Sequence, residues 1–93
     1  MNTTIERTAL TQLVTNEQYA RKVLPFIKKD YFSDKTERTI FEEITKFVDK
    51  YNKIPTQTSL EIEVQDRRDL NETEYGKVVE VIKTLKSTDV DFD

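Results

Sequence analysis

Residues 34–51 read DKTERTIFEEITKFVDKY, and this stretch decides the fold class. Asp34 is a carboxylate in the N-cap position with Glu37 three residues later, which is the spacing of a capping box at the start of a helix. After the cap, apolar side chains recur every three or four residues, at Ile40, Phe41, Ile44, Phe47, Val48 and Tyr51. The pattern predicts a helix of about 17 residues whose apolar face packs into a core.

Outside this helix, the chain also shows helical spacing and has little turn chemistry. One glycine and two prolines in 93 residues leave few hairpin signals. We predict four further helices: residues 4–15, a short helix capped by Asn16 and stopped by Pro25, a segment around residues 60–64, and a helix from the Asn71 cap to about residue 87. The 60–64 segment also alternates as a strand does. We favour a helix there because no second strand exists for pairing.

The apolar content is sufficient for one small core. Leu, Ile, Val and Phe make up 26 of the 93 residues, which is above the level typical of disordered chains. The predicted core anchors are Phe32, Ile40, Phe41, Ile44 and Phe47. The sequence therefore predicts an all-α, compact bundle of about five short helices. It forms one domain over residues 5–87, and residues 88–93 are an acidic tail or the start of a linker.

Most kinds of catalytic chemistry are excluded by composition. The chain has no Cys and no His, so it has no thiol nucleophile, imidazole base or disulfide. A single glycine, Gly76, cannot form either glycine-rich nucleotide-binding loop. Glu42 and Glu43 are adjacent on the long helix, so they do not form a facing acid/base pair, and we expect both on an exposed flank. We expect no catalytic, cofactor-binding or metal-binding residue, and neither binding nor hydrolysis of ATP.

Charge and hydropathy limit the partners further. The formal net charge is -3, whereas affinity for the DNA backbone requires a positive excess. Direct DNA binding should therefore be weak and salt-sensitive, or absent. No apolar run approaches the roughly 20 residues of a membrane helix, and the N-terminus lacks the features of a signal peptide. We expect a cytoplasmic protein.

Two sets of side chains are candidates for a protein interface. Tyr19 and Leu24 lie on the apolar arc of the short second helix, and such an arc on a small domain suggests a surface reserved for a partner. Lys46, Lys50 and Lys53 share one predicted stripe of the long helix and could meet an acidic partner or a DNA strand. The alternative is that these lysines belong to a mixed, solvated surface.

The order of the motifs adds a family resemblance over residues 5–87. In chain order the sequence carries Glu6, Ala9, Leu10, Leu13; Asn16 and Val23; Asp30-Tyr31-Phe32, Asp34, Arg38, Ile40-Phe41 and Ile44; then Lys53-Ile54-Pro55-Thr56 and Leu60. This order resembles the N-terminal head domain of DnaB-type replicative helicases. Similarity to the replicative helicases of T4-type phages is closer at Val23-Leu24-Pro25-Phe26, Tyr31-Phe32 and Glu72-Thr73-Glu74-Tyr75.

The resemblance implies a non-catalytic helical head in the hexameric ring of a DNA helicase, within a phage-infected bacterial cell. It implies roles in ring assembly and in docking primase or the helicase loader. It also implies a helical hairpin and an ATPase domain that these residues do not include. Because the hairpin supplies much of the subunit pairing, we expect the isolated head to be a monomer or a weak dimer. The alternative is a free-standing small helical phage regulator that binds DNA or inhibits a host protein.

Overall fold

Five α-helices and one 3-10 turn form the part of the chain that this computed structural model describes, residues 3–85, with side chains from residue 5 onward. The elements are α1 (Thr3–Thr15), α2 (Glu17–Val23), the 3-10 turn (Lys29–Tyr31), α3 (Lys35–Tyr51), α4 (Gln57–Gln65) and α5 (Glu72–Thr84). No strand occurs within these residues, and no helix among them combines the length and the apolarity that a membrane span requires. The prediction of an all-α bundle of about five helices is confirmed. The predicted acidic tail lies outside the described residues.

Side-chain caps explain where most helices begin. The N-caps of α2 to α5 each accept a hydrogen bond from the backbone N–H three residues later, and they are Asn16, Asp34, Thr56 and Asn71. At the start of α5 the capping is reciprocal, because the Glu74 carboxylate accepts a hydrogen bond from the backbone N–H of Asn71. At the start of α3 the Glu37 side chain does not complete a capping box with Asp34. It accepts a hydrogen bond from Arg7 of α1 instead. The last helix ends at Thr84 rather than near residue 87.

The long helix α3 lies at the centre of the core and packs against α1, α4, α5 and the 3-10 turn. Phe32, Ile40 and Ile44 are fully buried and Phe41 is 4% exposed, so these four predicted anchors lie in the core. The rings of Phe32 and Phe41 are in contact, with centroids 5.2 Å apart. The other helices contribute Leu10 and Leu13 from α1, Leu60 and Val64 from α4, and Val78 and Ile82 from α5.

Phe47 differs from the other predicted anchors. It is half-buried and stacks on Tyr51, with ring centroids 4.5 Å apart, outside the cluster of buried core side chains. Along α3, burial falls from fully buried Ile44 to half-buried Val48 and exposed Tyr51. Helical spacing gives the direction in which Phe47 points, but it does not show how far the neighbouring helices extend to cover it.

Two other residues also depart from the helical pattern. Ile5 lies on the apolar arc of α1 but is 56% exposed, because it belongs to the first turns of that helix. Lys53 lies beyond the end of α3 and does not share a helical stripe with Lys46 and Lys50. The helix stops because Asn52 adopts a left-handed backbone conformation, with φ 57°. Asn is one of the few residues besides Gly that adopts it readily.

We predict that Phe41→Ala lowers the free energy of unfolding by about 3–5 kcal/mol. The reason is the loss of a buried ring from the centre of the core, against a total of roughly 5–15 kcal/mol for a domain. Ile62→Ala is the matched control, since Ile62 is 54% exposed on α4. Urea denaturation followed by circular dichroism measures both losses. A loss at Phe41 no larger than that at Ile62 would contradict this description of the core.

Candidate functional site

An open groove lies between α2 and the C-terminal half of α3, and we call it the α2–α3 groove. It has a volume of about 370 Å³. Its apolar lining comes from both helices and from the segment after α3, and consists of Ala20, Leu24, Pro25, Val48 and Ile54. An apolar concavity of this kind can accept a side chain from another molecule.

The turn after α2 exposes an aromatic ring beside this groove. Pro25 follows the last turn of α2 and cannot donate a backbone hydrogen bond, so the helix ends there. The N–H groups of Phe26 and Ile27 both bond to the carbonyl of Val23, at 2.9 and 3.1 Å, and form a tight turn. Phe26 is 83% exposed, more than any other large hydrophobic side chain in residues 5–85. Phe26 directly follows Pro25 of the groove lining, so the exposed ring and the groove together form a candidate contact surface.

Three charged side chains line the rim of the groove. Arg21 forms an ion pair with Glu17 at 2.7 Å and donates to the carbonyl of Asn52 at 2.9 Å, which links α2 to the end of α3. Asp49 and Lys53 also line the groove. Neither takes part in an ion pair within residues 5–85. The rim therefore carries one carboxylate and one ammonium group, whose opposite charges offset each other.

The other two candidate lysines lie on a second, shallow surface. Lys46 and Lys50 surround the stacked rings of Phe47 and Tyr51 there. The Lys50 ammonium is 5.3 Å from the Tyr51 ring centroid, a cation–π distance. Two carboxylates, those of Asp49 and Glu63, line the same depression. The charges balance, so this surface lacks the positive excess that a nucleic-acid strand requires.

The structure thus separates the five residues that the sequence suggested as an interface. Leu24 and Lys53 meet in the α2–α3 groove, whereas Lys46 and Lys50 lie on the second surface. Tyr19 is half-buried against the core and is not part of the groove lining. Sequence analysis did not single out Phe26. The available signal was an aromatic residue directly after a helix-ending proline, where helical spacing no longer assigns a face.

A cluster of carboxylates around Arg67 joins α3 to the connection between α4 and α5. Glu43 was expected on an exposed flank, but it is 1% exposed and accepts a 2.8 Å hydrogen bond from Arg67. The same guanidinium bonds to Glu42 at 3.3 Å and to Asp69 at 2.6 and 2.9 Å. These bonds lower the pKa of Asp69 to about 2 and raise the pKa of Arg67. The sequence expectation for Glu43 is wrong because its partner is distant in sequence.

A second buried carboxylate joins α3 to α1. Glu37 is fully buried, and its Oε2 accepts a 2.9 Å hydrogen bond from Arg7. Its other oxygen, Oε1, has no hydrogen-bond partner. Burial raises the pKa of Glu37, the Arg7 hydrogen bond opposes this effect, and the nearby Glu6 side chain adds to it. Both ion pairs position the helices and leave the α2–α3 groove free.

Comparison with known proteins assigns the family. The model of the DnaB-like helicase N-terminal domain matches residues 1–91. The chain belongs to this family. It is also similar to the DnaB-like replicative helicase of Enterobacteria phage T4, with 27% identity over 82 residues. That alignment covers 88% of this chain but 17% of the T4 protein, so the chain spans less than a fifth of this relative.

No group of three or more His, Cys, Asp or Glu side chains in residues 5–85 is placed to hold a metal ion. The resemblance to the DnaB family, including the T4-type phages, is confirmed. The α2–α3 groove, with its apolar lining and charged rim, is the candidate site of this DnaB-like domain.

We predict a specific pH dependence of stability from Glu37. Its folded pKa lies above the ordinary value of 4.5, so the folded domain holds this proton more strongly than the unfolded chain. The contribution of Glu37 to stability is complete below that ordinary pKa and is lost as the pH rises through the folded pKa. Glu37→Gln removes this loss, so its stability relative to the wild type should increase as the pH rises from about 4 to 7.

Urea denaturation at several pH values measures this difference. Glu17→Gln is the control, because Glu17 is an exposed carboxylate in an i,i+4 pair. Asp69, whose pKa is lowered to about 2, does not confuse the result, because it is present in both proteins and its effect cancels in the comparison. Parallel stability curves for the wild type and Glu37→Gln would contradict the pKa shift.

Proposed function

We propose that this chain acts as the non-catalytic N-terminal domain of a replicative hexameric DNA helicase. In that role it contributes to ring assembly and docks primase or the helicase loader during DNA replication. Two findings support the proposal: membership of the DnaB-like N-terminal domain family, and similarity to a phage T4 protein described as a replicative helicase. The observation that carries the docking role is the α2–α3 groove with Phe26 exposed beside it.

The physical case for docking rests on the cost of exposing Phe26. Apolar surface in water costs roughly 25 cal/mol per Å², so a ring that is 83% exposed gains free energy when a partner covers it. Aromatic anchors in apolar pockets dominate the energy of protein interfaces. A domain that works through such contacts needs neither a nucleophile nor a phosphate loop, and this chain has no Cys, no His and one glycine.

Charge favours proteins over DNA as direct partners. The net charge is -3, and both candidate surfaces carry carboxylates beside their lysines. The domain therefore leaves the main DNA contacts to other parts of the helicase. Inside a ring, linked subunits raise the effective concentration of each domain to the millimolar range, so weak contacts suffice for assembly.

The direct test is binding of the 93-residue chain to three purified proteins encoded in the same genome: the primase, the loader and the replicative helicase. Isothermal titration calorimetry should detect micromolar binding to at least one of them. The N-terminal domain of the T4 helicase is the matched control, because 27% identity predicts the same fold with different surface side chains. It should bind the same proteins more weakly.

Two outcomes would contradict the proposal. One is a chain that binds none of the three replication proteins at concentrations where it is folded. The other is a salt-resistant complex with a specific duplex DNA sequence in an electrophoretic shift assay. The second result would support a free-standing DNA-binding regulator instead.

A further inference from the structure

We propose that the turn between α2 and α3 docks a short acidic segment of another protein, one that also carries an apolar side chain. The surface consists of Lys22, Phe26, Lys28 and Lys29, and we call it the basic turn. This inference rests on the proposed function, because it gives the chemistry of a partner for the docking role. The four side chains lie outside the lining of the α2–α3 groove.

The local charge of this segment is opposite to that of the whole chain. Residues 18–29 contain four cationic side chains and no carboxylate, whereas the formal net charge of the chain is -3. Arg21 is already engaged, because it pairs with Glu17 at 2.7 Å. The other three cationic side chains are exposed, and they are Lys22, Lys28 and Lys29. Positive charge is therefore concentrated on one stretch of an otherwise acidic domain.

Two of these lysines have no carboxylate partner in the described part of the chain. Within residues 5–85, neither Lys22 nor Lys28 forms an ion pair, and Lys29 makes only a long contact of 3.9 Å with Glu42. An exposed ammonium group without such a partner keeps its charge for a carboxylate on another molecule. Complementary charge across an interface steers association and selects the partner. The basic turn therefore favours an acidic partner.

The backbone brings the aromatic ring and the lysines together. The N–H groups of Phe26 and Ile27 both bond to the carbonyl of Val23, which closes a tight turn at the end of α2. Ile27 packs against the core, while Phe26 and Lys28 on either side of it are exposed. The ring, at 83% exposure, thus lies between Lys22 and Lys28 along a short turn. An apolar side chain of an acidic segment can pack on this ring, since aromatic anchors dominate the energy of protein interfaces.

Carboxylates at the edges of the basic turn favour a short protein segment over a nucleic-acid strand. Glu17 precedes the cationic stretch, Asp30 follows it, and Glu42 lies beside Lys29. A nucleic-acid strand carries a phosphate at every nucleotide, so its flanking phosphates would meet these carboxylates. Single-strand binding also uses several aromatic platforms for successive bases, whereas Phe26 is one ring. A protein segment can confine its negative charge to a few residues around an apolar side chain.

The first experiment measures binding of a defined probe by fluorescence anisotropy. The probe is a fluorescein-labelled oligo-aspartate peptide with a leucine at its centre. The 93-residue chain should bind this peptide, and the complex should weaken as the salt concentration rises, because salt screens exposed charges. The double variant Lys22→Glu with Lys28→Glu should raise the dissociation constant about tenfold, since each reversal replaces an attraction with a repulsion.

The matched control is the double variant Lys77→Glu with Lys83→Glu. Both lysines are exposed on α5, and the two double variants change the net charge of the chain by the same amount. The control should leave the dissociation constant of the peptide unchanged. This comparison separates a local surface from a general effect of net charge. Circular dichroism checks that each variant folds.

The second experiment tests the contact between the peptide and the ring. Phe26→Ser should raise the dissociation constant several-fold, and so should a peptide with serine in place of leucine. Together the two changes should add little beyond either one alone, because both remove the same contact. Ile62→Ser is the control, since Ile62 is 54% exposed on α4. It should leave the dissociation constant unchanged.

Four outcomes would overturn the inference. They are a wild-type chain that does not bind the peptide, equal losses in the two double variants, fully additive effects of Phe26→Ser and the serine peptide, and tighter binding of an oligothymidylate strand than of the peptide. The last result would make the basic turn a nucleic-acid surface. The proposed function fails separately. Peptide binding through the basic turn without binding to any replication protein refutes the proposed function alone, whereas binding to a replication protein without peptide binding refutes the basic turn alone.

Discussion

The structure depends on the contact between Arg67 and Glu43. Glu43 is a carboxylate that α3 carries into the interior, at 1% exposure, and Arg67 bonds to it at 2.8 Å. The same guanidinium also bonds to Asp69, so Arg67 links the connection between α4 and α5 to α3. Removing one partner of a buried pair typically costs about 3–5 kcal/mol when the other charge is left uncompensated. Here each partner keeps a further ionic contact, because Lys46 lies 3.5 Å from Glu43 and Arg67 also bonds to Asp69. Helices α4 and α5 pack on α3 through the apolar core, and in that packing Arg67 lies against Glu43.

A second pair, Arg7 with Glu37, links α1 to α3, but burial of Glu37 outweighs the effect of Arg7 and raises the pKa of this carboxyl. Helix α2 is held differently. Arg21, its link to the end of α3, reaches the carbonyl of Asn52 from an exposed position. The α2–α3 groove lies where the packing between helices is open, and the exposed Phe26 adjoins it. The two ion pairs thus lie on other sides of α3 from the open α2–α3 groove.

The features that could be predicted from the sequence are those encoded by neighbouring residues. Caps such as Asn16, Asp34 and Asn71, and the apolar spacing of α3, are local signals, so the five helices were predictable. The burial of Glu43 was not, because Arg67 is 24 residues away in the chain. The candidate site was predictable only in part. Leu24 lies in the groove as part of a helical arc, but Phe26 follows Pro25, where that spacing stops.

The most direct measurement is a double-mutant cycle on Glu43→Gln and Arg67→Gln, with the free energy of unfolding obtained by urea denaturation. We expect a coupling energy of about 1–3 kcal/mol, because the two side chains are in contact and one of them is buried. The same cycle on the exposed pair Glu17 and Arg21 should give no more than about 0.5 kcal/mol. If the Glu43 and Arg67 losses were simply additive, this contact would not control the packing of α4 and α5 on α3.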